Sequence, residues 1–115
     1  MNQTSASTSQ QHALAWTQLQ DLAEQKKTKI DLRDLFANDA QRFEKLKINA
    51  PYLWADLSKN LVDDDIWQAL LQLAHTSGVE GGRVAMWAGD HINNTEDRAV
   101  MHFLLRSPAN AVLAN

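Results

Sequence analysis

The chain has 115 residues, a net charge of -3 and no cysteine. This length suits one small domain or a part of a larger one. The slightly acidic balance argues against a nucleic-acid or anionic-membrane partner, because both need a basic protein surface. The lack of cysteine excludes disulfides, thiol nucleophiles and cysteine-ligated metals. No apolar run approaches the roughly 20 residues that span a bilayer, and the polar N-terminus does not have the pattern of a secretory signal.

The first 26 residues divide into a polar segment and an amphipathic one. Residues 1–10 are rich in serine, threonine and glutamine and predict a disordered polar tail. Residues 11–26 predict a helix, since apolar side chains recur at helical spacing. The stripe consists of Ala15, Leu19, Leu22 and Ala23, with Trp16 at its edge. Lys26, Lys27 and Lys29 follow; they could contact a phosphate or nucleic acid, but we favour a solvated helix end whose cations complement the helix dipole.

Two short helices and one strand are predicted in the next third of the chain. Residues 30–37 form the first helix, and a cap at Asn38 or Asp39 begins the second, which ends near Leu46. The expected inward-facing side chains are Leu32, Leu35, Phe36, Phe43 and Leu46. Pro51 ends any preceding helix, and alternation over residues 52–58 predicts a short strand. A single strand needs a partner strand, and none is evident in the sequence.

Two further helices are predicted around Gly78, which is a suitable left-handed stop. The first begins at Asp63, Asp64 and Asp65, and its buried stripe consists of Ile66, Leu70, Leu73 and Ala74. Three adjacent carboxylates could indicate a metal site, but neighbouring helical residues point in different directions. Complementation of the helix dipole is therefore the favoured explanation. The second helix covers residues 79–88, is weakened by two adjacent glycines, and is closed by Gly89.

The segment 89–106 predicts a polar turn followed by an apolar helix. Thr95 is the expected N-cap, and Asn93 with Glu96 forms a competing capping register. Arg98, His102 and Arg106 recur every four residues, which places them in one stripe of an otherwise apolar helix. Because such a helix is expected to be buried, we interpret these three side chains as structural. The alternatives are a sugar-phosphate contact by the arginines and base catalysis by the histidine.

The remaining candidate side chains do not form a recognisable catalytic pattern. His12, His75, His91 and His102 do not occur in pairs spaced three or four residues apart, so a helical zinc pair is absent. His91 is expected in an exposed turn. The tryptophans at positions 16, 54, 67 and 87 are interpreted as core or interface residues rather than sugar-stacking platforms. The adjacent glycines of the fifth helix are a weak phosphate-loop signal, since they do not follow a strand.

Several segments resemble the glucose-6-phosphate isomerase family. The most specific is the run that this family writes Gly-Glu-Lys-Ile-Asn-x-Thr-Glu-x-Arg-Ala-Val-Leu-His-x-x-Leu-Arg. It is matched by Gly89, Ile92, Asn93, Thr95, Glu96, Arg98, Ala99, Val100, His102, Leu105 and Arg106. A second run is matched by Asp34, Leu35, Phe36, Ala37, Asp39, Arg42, Phe43 and Lys45. Asp56, Ser58, Lys59 and Asn60 match a strand end, although Leu57 replaces the usual tyrosine. An Ala-Trp-x-x-Leu helix is echoed by Ala15, Trp16 and Leu19.

The resemblance implies a fold, an activity and a domain organisation. The fold class is mostly α in this piece with one short strand, as the N-terminal part of an α/β, three-layer αβα sugar-isomerase fold. Residues 11–115 would be the N-terminal helical part of a cytoplasmic enzyme, truncated before its catalytic subdomains. The family interconverts glucose 6-phosphate and fructose 6-phosphate, in glycolysis and gluconeogenesis, without a cofactor or metal. A homodimer is expected from the family.

The family's catalytic motifs are missing from the sequence, so no catalytic, substrate-binding or metal-binding residue is assigned. The resemblance therefore implies an enzyme whose catalytic residues lie outside this chain, and it predicts that the isolated chain is inactive. It also predicts exposed apolar surface on residues 52–58 and 99–105 where the rest of the enzyme is missing.

Two other functions belong to different classes. A small helical protein-interaction module would use the tryptophan-rich faces and would have a self-contained core. A helix-turn-helix nucleic-acid binder built on residues 63–88 would need basic residues on its second helix, which offers Arg83.

Overall fold

The computed structural model describes residues 3–108, with side chains from residue 7 onward. The chain forms two compact units, with the boundary between Leu73 and Ala74. Helix α4, described below, crosses this boundary. The order of elements is five α-helices with a two-stranded sheet between the third and the fourth, followed by a short 3-10 helix. The mostly helical class predicted from the sequence is confirmed.

Helix α1, Gln3–Lys26, contains the predicted amphipathic helix and begins within the segment predicted to be a disordered tail. The side chains of residues 7–14 are all exposed, so these turns have little packing to stabilise them, and the mobility of the tail in solution stays a prediction. The buried or half-buried positions are Ala15, Leu19, Leu22 and Lys26. Ala23 is exposed, which corrects the predicted stripe, and the long apolar stem of Lys26 takes its place.

Helices α2, Leu32–Asn38, and α3, Arg42–Leu46, correspond to the two predicted short helices. The side chain of Asp31 caps α2 by accepting from the backbone N–H of Arg33 at 2.8 Å. Asp39 does not cap α3 directly. Its carboxylate accepts from the N–H of Gln41 at 3.0 Å, and this turn delays the start of the helix to Arg42.

Strands β1, Lys47–Ala50, and β2, Leu53–Asp56, form an antiparallel hairpin. The prediction of one short strand is therefore wrong in number. β1 was not predicted because it follows α3 without a break, so no turn residues mark its start. Pro51 and Tyr52 make the turn, and Tyr52 has a φ of 63°, a left-handed value that is uncommon for a bulky residue.

Helices α4, Asp64–Thr76, and α5, Val79–Ala88, are separated at Gly78 as predicted. Gly78 has a φ of 73°, and its N–H donates to the carbonyl of His75 at 3.0 Å. On α4, Ala69 is buried and Leu70 is 38% exposed. The predicted buried stripe is therefore corrected at one of its members, where Ala69 takes the place of Leu70. Gly89 ends α5 with a φ of 81°. Its N–H and that of Asp90 donate to Met86 and Ala85, the pattern of a Schellman motif.

The predicted apolar α-helix after residue 95 does not form. A 3-10 helix, His102–Arg106, is present instead. The carboxamide oxygen of Asn93 accepts from the backbone N–H and the hydroxyl of Thr95 at 3.3 and 2.8 Å, and Asn93 pairs with Arg98 as an antiparallel bridge. These local bonds compete with a helix start, and Asp97 has a left-handed φ of 50°. The competing turn is therefore preferred to capping by Thr95.

The described part of the chain has a small hydrophobic core. Ala15 and Ala69 are its buried hydrophobic residues, whereas Leu53, Trp54 and Leu105 are 64%, 57% and 86% exposed. The prediction of exposed apolar surface on the strand is confirmed, and the 3-10 helix carries no buried residue. No helix within residues 3–108 combines the length and the apolar character needed to cross a bilayer.

Candidate functional site

An open cleft of about 540 Å³ lies in the first unit, bordered by the end of α1, by α2 and by the start of α4. Its lining residues are Lys26, Lys29, Ile30, Asp31, Asp34, Leu35, Asn38, Asp39, Arg42, Asp63, Asp64 and Asp65. Six of these carry carboxylates and three carry cationic groups. A cleft with excess negative charge repels a phosphate dianion, so its electrostatics do not suit a sugar phosphate.

Lys26 is the cation at the centre of the cleft's charge network. Its Nζ lies 2.5 Å from Oδ2 of Asp63 and 2.6 Å from Oδ2 of Asp65. The hydrogen bonds to Asp63 and then to Asp65 raise the pKa of Lys26. Lys26 therefore joins the last turn of α1 to the first turn of α4. Lys26 is one of the three lysines of the predicted basic cluster. Because its ammonium group forms ion pairs with Asp63 and Asp65, it is not available to an anionic ligand.

The three aspartates at the start of α4 have different roles. Asp63 is the residue before the helix, and its Oδ1 accepts from the N–H of Ile66 at 3.0 Å, which is an N-cap contact. Burial acts to raise the pKa of Asp63, but the bonds to Lys26 and Ile66 outweigh it, and the pKa is lowered. Because Asp63 is not helical, it converges with Asp65 on one cation, contrary to the prediction that these carboxylates diverge.

A metal site is not supported by the geometry of these aspartates. Within residues 3–108, no group of three or more histidine, aspartate or glutamate side chains has an arrangement that could hold a metal ion. The dipole and capping interpretation of the acidic run is thus sufficient.

Arg42 forms the most buried polar contact of the first unit. Arg42 is 5% exposed. Its Nε donates to the carbonyl of Ser58 and its Nη2 donates to the carbonyl of Asn60, both at 2.8 Å. The guanidinium also lies 5.7 Å from the ring centroid of Phe36. Arg42 thereby fixes the segment that leaves β2, a role that helical periodicity did not predict. The motif match at Arg42 was the available signal.

The segment after β2 is also held by Asp56. Its Oδ1 accepts from the backbone N–H and the hydroxyl of Ser58 at 2.9 and 2.5 Å, and Oδ2 accepts from Lys59 at 3.1 Å. The hydroxyl bond, the backbone bond and the lysine bond lower the pKa of Asp56, in that order. These contacts orient the Asp-Leu-Ser-Lys-Asn turn.

Arg98, His102 and Arg106 do not share a helical stripe, because Arg98 lies outside the 3-10 helix. All three are exposed, and the guanidinium of Arg98 lies 3.6 Å from Glu96. The predicted α-helix that would align these side chains is therefore wrong, and their structural role in a larger protein stays a prediction. Phe103 of the same segment packs edge-on against Trp87, with ring centroids 4.3 Å apart.

Two histidines of the second unit, His75 and His91, are exposed and paired locally. Nδ1 of His91 lies 3.0 Å from Oδ1 of Asp97, as part of the predicted exposed turn. Nδ1 of His75 lies 3.6 Å from Glu80.

Comparison with known proteins identifies the family of this chain. The family model described as Phosphoglucose isomerase matches residues 56–115, from the end of β2 onward. This chain belongs to the phosphoglucose isomerase family. The predicted resemblance is confirmed.

Individual isomerases match most of the chain. Glucose-6-phosphate isomerase of Polaromonas naphthalenivorans (strain CJ2) is 56% identical over 82 residues, which cover 71% of this chain and 16% of the relative. The enzyme of Albidiferax ferrireducens is 52% identical over 94 residues, covering 82% and 18%. The Saccharomyces cerevisiae enzyme is 45% identical over 101 residues, covering 84% and 18%. The matched region thus corresponds to less than a fifth of the length of these curated relatives.

Proposed function

We propose that residues 11–115 form the N-terminal helical part of a glucose-6-phosphate isomerase, and that this part is scaffold for catalytic groups carried elsewhere in the enzyme. The observation that carries the proposal is the family match combined with its extent: relatives named for this activity are matched over 16–18% of their length. The reaction would interconvert glucose 6-phosphate and fructose 6-phosphate as a step of glycolysis and gluconeogenesis.

The chemistry of this reaction supports placing its catalytic groups outside the chain. Aldose–ketose isomerisation needs a base beside the C–H of the open-chain sugar and electrostatic support for the enediolate. It also needs cationic or N–H groups for the phosphate. The cleft described above is acidic and holds its central lysine in ion pairs, so we assign no catalytic or substrate-binding residue. A cytoplasmic homodimer is part of the same proposal, for the whole enzyme.

The competing functions are less well supported. A self-contained interaction module would bury a hydrophobic core, whereas the buried hydrophobic residues of the described chain are two alanines. A nucleic-acid binder of the helix-turn-helix type would carry basic residues on α5, and α5 carries Arg83 beside Glu80.

The test has two arms and uses a coupled assay with fructose 6-phosphate. The isolated chain should show no turnover above the buffer rate. A chimera, in which this chain replaces the matched segment of the Polaromonas naphthalenivorans isomerase, should be active, because the two are 56% identical there. Turnover by the isolated chain would overturn the scaffold role, and a folded but inactive chimera would overturn the assignment to this enzyme.

A further inference from the structure

The hairpin of β1 and β2 has one apolar and one polar face. Ile48 pairs with Ala55 and Ala50 with Leu53, while Lys47 pairs with Asp56 and Asn49 with Trp54. Paired residues lie on the same side of a sheet, and successive residues alternate between sides. One side therefore carries Ile48, Ala50, Leu53 and Ala55 alone. We call this side the apolar hairpin face.

The polar side has some packing within the chain, although Trp54 is 57% exposed, and the large side chains of the apolar hairpin face are exposed as well. On the polar side, the ring of Trp54 lies 6.0 Å from that of Phe43, and Nζ of Lys47 lies 5.5 Å from the same Phe43 ring. On the apolar side, Ile48 is 49% exposed and Leu53 is 64% exposed. In a stable isolated sheet the apolar side is covered, whereas Ile48 and Leu53 here are exposed to solvent.

An uncovered apolar side is costly for so small a sheet. A two-stranded hairpin is marginally stable in water and needs packing on its apolar side. Contiguous exposed apolar surface of this kind is typical of a protein–protein or domain–domain contact.

The extent of the family match indicates what covers this face. Any continuous stretch of 82 residues in a chain of 115 includes the middle of the chain, where the hairpin lies. The hairpin is therefore part of the region shared with the Polaromonas naphthalenivorans isomerase. That relative has 84% of its length outside the matched region, since the match covers 16% of it. The same polypeptide therefore provides a large surface that this chain does not span.

We propose that the apolar hairpin face packs against the part of a phosphoglucose isomerase that this chain does not contain, through an apolar surface of that part. The inference rests on the proposed function, because it treats the chain as a segment of such an enzyme. It assigns the hairpin as the contact through which the N-terminal segment is attached to the remainder.

The test compares one substitution in two settings. Ile48→Lys introduces a charge on the apolar hairpin face, and Asn49→Lys introduces the same charge one residue away on the polar face. In the isolated chain both positions face solvent, so the two variants should melt within about 2 °C of each other, as expected of surface substitutions. In the chimera described above, Ile48→Lys should lower the melting temperature by roughly 5–10 °C more than Asn49→Lys, because its charge would be buried.

The outcomes separate this proposal from the proposed function. An active chimera in which both variants melt alike would overturn the docking proposal and leave the function standing. A folded, inactive chimera with a selective loss at Ile48 would support docking and overturn the function. A chimera that does not fold would overturn both. Self-association of the isolated chain in sedimentation, abolished by Ile48→Lys but not by Asn49→Lys, would assign the face to a second copy and overturn the proposal.

Discussion

At the scale of single residues, Arg42 determines how the segment after β2 is held. Its guanidinium satisfies two backbone carbonyls, those of Ser58 and Asn60, with the fork geometry that arginine provides. Helical spacing placed Arg42 among the polar residues of α3, and arginine is rarely buried without partners. Its partners are 16 and 18 residues away, so local periodicity could not identify this contact.

Replacing Arg42 by methionine should destabilise the chain markedly. The buried carbonyl of Ser58 would lose its charged donor, which costs about 1–3 kcal/mol, whereas the carbonyl of Asn60 still accepts from the N–H of Val62. We expect a loss of roughly 1–3 kcal/mol in the free energy of unfolding, measured by urea denaturation. The matched control is Arg33→Met, since the side chain of Arg33 is 91% exposed. Equal losses in the two variants would contradict the role of Arg42.

At the scale of elements, the boundaries set by glycine were predictable and those set by side-chain competition were not. Gly78 and Gly89 end or begin helices at the predicted positions because their left-handed conformation favours glycine. The start of the 3-10 helix depends instead on Asn93, whose side chain binds Thr95. Capping patterns alone do not decide between that turn and a helix start.

Two glycine substitutions should have opposite effects on the second unit. Gly78→Ala should lower the free energy of unfolding by about 1–2 kcal/mol, because alanine is strained at a φ of 73°. Gly82→Ala, inside α5, should raise it by about 0.5–1 kcal/mol through helix propensity. An added Cβ meets nothing within 4 Å at either position, so conformation rather than crowding sets both signs.

Denaturation followed by circular dichroism at 222 nm would measure both glycine effects. The contradicting result is a loss of stability at both positions, since it would indicate a packing requirement at Gly82.

At the scale of the whole molecule, the stability of the chain depends on several ionised aspartates. The pKa of Asp31 is lowered to about 2, first by its side-chain bond to Arg33. The pKa of Asp39 is lowered by Lys45, and that of Asp56 by Ser58. A carboxyl whose pKa is lower in the folded chain stabilises it above the unfolded value of 3.8. That contribution disappears as the pH falls through the folded pKa.

The chain should therefore unfold more readily below about pH 4. Asp56→Asn removes one titrating group while its amide oxygen can still accept from Ser58. The difference in urea midpoint between pH 6 and pH 3 should be smaller in this variant than in the parent chain. Ser58→Ala keeps the carboxylate and loses one donor, so its difference should lie between the two. Identical differences in all three proteins would contradict the assignment.

The family and the helical class were predictable, but the conformation of residues 99–105 was not. Residues 99–105 have the composition of a buried helix, and most helical stability comes from packing of such a face. With Leu105 86% exposed, that packing is missing and a 3-10 turn forms instead. The chain matches less than a fifth of the length of its relatives, and the location of the catalytic groups outside it stays a proposal.

The hairpin of β1 and β2 has a consequence for synthesis of the proposed whole enzyme. Its strands are joined by two residues, and hairpins of this size form in about 1–10 μs. A ribosome adds about 5–20 residues per second, so the hairpin would form long before several hundred later residues were made. Its apolar side and free strand edges would then face solvent for tens of seconds, a period in which unpaired strand edges invite aggregation. Chaperone binding to the nascent chain would therefore matter most at this stage.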